Sequence, residues 1–115
     1  MNLNKKQLQN FAQLTETMSR HSFSASEVVQ LLQYSNQLHR WFEDFACGFV
    51  EIDDAGNAFR VVEIGNTTKR YPIKNKGKEI EKKIQKLIKG KNATYRTQQD
   101  PRGGSLYINN IPICL

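Results

Sequence analysis

At 115 residues the chain has the length of one domain and enough of it to bury an apolar core without covalent staples. Its hydrophobic content of 38% and net charge of +6 fit a soluble basic protein, and no stretch nears the ~18 apolar residues of a membrane span. Two cysteines, Cys47 and Cys114, match no ligand spacing, so no metal or other cofactor is expected.

The first predicted element is a helix over "NKKQLQNFAQLTETM". Asn4 with Gln7 three residues on makes a capping box, and Leu8, Phe11, Ala12, Thr15 and Met18 fall on one face. The opening residues carry two lysines but no apolar run behind them, so no secretory signal is expected and the cytoplasm is the expected location. Residues 1–20 are an element that attaches loosely. Ser24 and Glu27 form a second capping box. It starts a helix whose apolar arc is Val28, Leu31, Leu32, Leu38, Phe42, Phe45 and Ala46, with Ser35 and His39 inside the arc and Tyr34 and Trp41 at its edge. Gly48 ends it.

Alternation in "GFVEID" and "AFRVVEI" around "DAGN" predicts a hairpin, and "KRYPI" a third strand that Pro72 confines to an edge or to its own end. "NKGKEIEKKIQKLIKGK" is a third helix, with Ile80, Ile84, Leu87 and Ile88 inward and Lys78, Lys82, Lys86 and Lys89 opposite. "ATYRTQQ" and "SLYINNI" are strands flanking Asp100-Pro101-Arg102-Gly103-Gly104, whose composition is that of a tight turn. The order α-α-β-β-β-α-β-β implies a single α+β domain over 1–115, an antiparallel sheet of about five strands with the lysine-rich helix inserted.

Charge is segregated along the chain. Residues 1–60 hold five Lys/Arg against seven acids, a net −2, and residues 61–115 hold twelve against four, a net +8. Such polarity points to an anionic partner met by one surface. The candidate contacts are Lys74, Lys76, Lys78, Lys82, Lys86 and Lys89, with Arg70, Arg96 and Arg102. Lysines spaced along a helix can follow a phosphate backbone, and an arginine on a rigid turn can make bidentate contacts. Tyr71, Tyr95 and Tyr107 lie on strands beside these arginines, and on one exposed face they would form a stacking platform for single-stranded nucleic acid.

Two other readings compete. Glu51, Asp53 and Glu63 could gather around Mg²⁺ in a nuclease-like enzyme, but no acid-x-lysine triplet follows the hairpin and no phosphate-cradling glycine loop is present. Tyr34 and Trp41 could instead join two copies in a structural homodimer.

Three stretches, "LHRWFEDFACG", "KRYPIKNKG" and "YRTQQDPRGGSLYI", resemble small, mostly uncharacterised proteins of bacteriophages, prophages and plasmids. The matching positions are His39, Arg40, Glu43 and Cys47; Tyr71, Pro72 and Ile73; and Gln98, Asp100, Pro101, Arg102, Gly103, Leu106 and Tyr107. The resemblance implies a mobile-element origin. It supplies no reaction; taken with the basic half and the lack of a catalytic constellation, that origin points to a non-enzymatic protein that binds nucleic acid or a host nucleoprotein, an anti-CRISPR-like inhibitor of a host defence complex being the most concrete form.

Overall fold

A computed structural model describes residues 2–99 and 105–115. The expected turn at Asp100–Gly104, with Arg102, lies outside the described residues. Three helices, α1 (Lys5–Ser19), α2 (Ala25–Ala46) and α3 (Lys76–Ile88), combine with six strands: β1 (Val50–Ile52), β2 (Ala58–Ile64), β3 (Thr67–Ile73), β4 (Tyr95–Thr97), β5 (Leu106–Ile108) and β6 (Ile111–Pro112). The fold is α+β in the order read from the sequence, but the strands form two three-stranded antiparallel sheets, β1-β2-β3 and β4-β5-β6, rather than one sheet.

Local sequence sets the helix ends. Both capping boxes are made in full: the Asn4 and Ser24 side chains accept from the N–H of Gln7 and Glu27, whose side chains accept in return from the cap N–H groups. At the end of α2, Gly48 N–H donates to Phe45 O and Phe49 N–H to Asp44 O, the paired bonds of a Schellman motif. That motif requires the left-handed φ of +76° that Gly48 adopts.

The main core is built from α2 and what packs on it: Val28, Leu31, Leu32 and Leu38, with Met18 of α1, Ile80 and Ile84 of α3, and Leu106, Ile108 and Ile113 near the C-terminus. Each such side chain contributes roughly 1.5–3 kcal/mol by leaving water. The expected face of α1 is rotated. Phe11, Leu14 and Met18 pack inward, whereas Leu8 stays 54% exposed and Ala12 is exposed. Met18 is fully buried, so the C-terminal half of α1 is held in the core.

The second sheet joins this core through Leu106 and Ile108. Its third strand arises from Asn109 and Asn110, both at positive φ (49° and 65°), which turn Ile108 back onto Ile111. The sequence reading treats "SLYINNI" as one strand; the Asn-Asn pair between two isoleucines is the overlooked turn signal.

The first sheet is a meander with β3 at its edge, where Pro72 needs no ladder partner for its missing N–H. It touches the body through a small separate cluster of Trp41, Val50 and Ala58, with Phe42, Phe45 and Ile73 around it. Trp41 meets Phe45 edge-on at 5.0 Å between ring centroids. Because the meander projects, the radius of gyration is 16.4 Å, against about 13 Å for a compact chain of this length. No helix among the described residues is long and apolar enough to cross a membrane.

A candidate nucleic-acid interface between two helices

Helix α3 places its lysines on two different sides. At ~100° per residue, Ile80, Ile84, Leu87 and Ile88 point at the core. Lys76, Lys83 and Lys86 fall on the flank next to α2, while Lys78 and Lys82 run along the outer back; Lys89, the extended residue that caps α3, turns toward α2. On the opposite flank, Gln85 Nε2 donates to the Tyr95 hydroxyl at 2.8 Å, fixing α3 against the second sheet.

Between α2 and α3 lies a groove made of two adjoining cavities. One, of about 310 Å³, is lined by Gln37, Arg40, Trp41, Asp44, Lys76, Glu79, Ile80 and Lys83. The other, of about 610 Å³, is lined by Glu27, Gln30, Tyr34, Lys83, Lys86, Leu87, Lys89 and Lys91. Lys83 lines both, so the two cavities adjoin along α3, and the pairing of residues shows that the helices run antiparallel. The 13 residues of α3, Lys76–Ile88, give it a length of about 20 Å.

The electrostatics follow from the ion pairs. Lys91 Nζ lies 3.0 Å from Glu27 Oε1, donates to Ser22 O at 2.7 Å and sits 4.9 Å over the Phe23 ring. It clamps the end of α3 to the start of α2 and is a structural cation. Glu27 has its carboxyl held below the usual range, first by the Ser24 N–H and then by Lys91. With that pair set aside, the groove keeps five basic residues, Arg40, Lys76, Lys83, Lys86 and Lys89, against two acids, Asp44 and Glu79. None of these seven is in an ion pair among the described residues.

Several expected contacts stand elsewhere. Lys78 reaches over the β1–β2 turn at Gly56, and Lys82 lies behind the groove, because their wheel positions carry them past the α2 flank. Lys74, between β3 and α3, is exposed and lines neither cavity. Arg70 is bound by Glu51, Nε to Oε2 at 2.6 Å, which raises the pKa of the guanidinium and lowers that of the carboxyl. Arg96 stacks 3.9 Å over Tyr107 and donates to Gln98 Oε1 at 2.6 Å. The three tyrosines do not share a platform: Tyr71 is in the first sheet, Tyr95 and Tyr107 in the second, and Tyr95 packs on the core.

Trp41 is only 5% exposed, buried within its own chain against Val50 and Ala58, because the meander folds back onto the end of α2. Tyr34 is half-buried, packing on the core and lining the groove. The three acids suggested for Mg²⁺ are not gathered. Glu51 holds Arg70, and Asp53 accepts from Ala55 N–H, Asn57 N–H and the Asn57 amide, which hold its carboxyl below the usual range. Among the described residues no group of three His, Cys, Asp or Glu side chains could hold a metal ion. His39 Nε2 lies 3.0 Å from Glu43 Oε1, one helical turn on.

On the α2 wall, Gln30 and Gln37 and a charge contact by Arg40 are not among the contacts expected from the sequence. Gln30, Tyr34, Gln37, Trp41 and Asp44 repeat at helical spacing, and that stripe was the signal. Comparison with known proteins finds no family model, no curated protein and no solved structure that matches the chain.

Proposed function

We propose that this chain is a non-enzymatic protein of a mobile element that binds nucleic acid, free or within a host nucleoprotein, along the α2–α3 groove. The supporting observation is the run of Arg40, Lys76, Lys83, Lys86 and Lys89 along two adjoining cavities between α2 and α3, with charges left without carboxylate partners among the described residues. Phosphates released from their counterions are the ligand such an array rewards. Gln30 and Gln37 add amide donors and acceptors, and Tyr34 an aromatic ring, on the opposite wall.

Fluorescence anisotropy with labelled single strands and duplexes tests the reading through two charge-matched double variants. Lys83→Glu with Lys86→Glu reverses the groove; Lys78→Glu with Lys82→Glu reverses the back of the same helix. The groove pair should lose at least about tenfold in affinity at low salt, and the back pair much less. Equal losses would contradict the groove assignment, and no binding by the unaltered protein would end the nucleic-acid reading.

A further inference from the structure

The groove does not end at Lys76. A cavity of about 190 Å³ shares Trp41, Asp44 and Lys76 with it and carries the surface on to Arg60 of the meander. Register then extends the surface along one face of the first sheet. Arg60 stands opposite both Val50 and Tyr71, and Val62 stands opposite Lys69. Side chains alternate between faces along a strand, so Arg60, Val62, Lys69 and Tyr71 share the face whose base is Val50 and Ala58, the residues seated on Trp41. The other face carries the neutralised Arg70–Glu51 pair. Tyr71 is 48% exposed and Ile64 57%, and Arg60 and Lys69 are exposed and in no ion pair among the described residues.

We infer that this face of the meander is an arm that lengthens the groove into one track for single-stranded nucleic acid, with Tyr71 as its stacking ring. The inference rests on the groove reading and adds the ligand's class and a second contact surface. A basic residue directly across from an exposed aromatic offers a phosphate contact beside a π-face, the combination sequence-tolerant single-strand binders use. A duplex keeps its bases stacked inside and gains nothing from Tyr71. From Ile73 to Lys69 the arm adds about 13 Å at strand spacing.

The test compares two oligothymidines, one just spanning the ~20 Å groove and one about twice as long, against unaltered protein, Tyr71→Ala, Tyr71→Phe and Lys69→Glu. The long strand should bind more tightly than the short one. Tyr71→Ala should weaken only the long strand, by about fivefold or more for one lost base stack, Tyr71→Phe should retain binding, and Lys69→Glu should also weaken only the long strand. Photo-crosslinking of a bromouracil-substituted long strand should attach to β3. Short-strand binding with no length advantage, no Tyr71 effect and no β3 adduct would overturn the arm while leaving the groove intact. Such a result would return the exposed face to protein contacts, and failure of both strands to bind would remove the groove reading itself.

Discussion

Gly77 occupies the second position of α3, where alanine would be the better helix former by almost 1 kcal/mol. The structure reverses that preference, because a Cβ there would come within 2.7 Å of Trp41 Nε1. Gly77→Ala should therefore destabilise by about 1–3 kcal/mol, read as a lower urea midpoint; a stabilised variant would contradict the tight seating of the indole. Glu27 gives a pH prediction. Its folded pKa is depressed, first by the Ser24 N–H and then by Lys91, so its contribution is present above the ordinary glutamate range and lost as pH falls through the folded value. Glu27→Gln keeps the capping geometry but removes the charge pairing with Lys91, at a cost of about 1 kcal/mol near neutrality. The gap to the unaltered protein should narrow in acid, and a gap constant with pH would refute it. Caps such as Asn4 and Ser24 were legible because their partners lie three residues away. Trp41 was not: its wheel position put it at the edge of the arc, and a sheet formed later in the chain buries it.

The elements differ in how firmly they are held. Helices α2 and α3 and strand β5 share the large core, whereas the meander depends on Trp41, Val50 and Ala58. Regions with few buried apolar contacts open at lower free energy. Amide exchange should thus be faster across β2 and β3 than in α2, and Trp41→Ala should accelerate the meander far more than β5; uniform acceleration would show a single cooperative unit instead. Each strand of the meander was legible from alternation and turn residues. The division into two sheets was not, since pairing between distant strands leaves no local mark, and the Asn109–Asn110 turn was hidden inside an apolar run. The same locality explains the lysines of α3: their number was plain, but which flank faces α2 depended on how two helices pack.

Over the whole molecule, the chain's charge polarity was legible and its organisation only in part. The basic half supplies Lys76, Lys83, Lys86 and Lys89, but Arg40 and the polar wall come from the acidic half, and Arg70 and Lys91 are neutralised by carboxylates from that half. Folding therefore brings five basic residues without carboxylate partners among the described residues together between α2 and α3, while others, among them Lys69, Lys74, Lys78 and Lys82, stand outside the groove. The salt dependence of binding to the short oligothymidine measures this directly. Five phosphate contacts predict a slope of about −3.5 in log affinity against log salt, falling by about two contacts' worth in the Lys83→Glu, Lys86→Glu variant. Affinity that is insensitive to salt, or a slope that the groove variant leaves unchanged, would contradict the account.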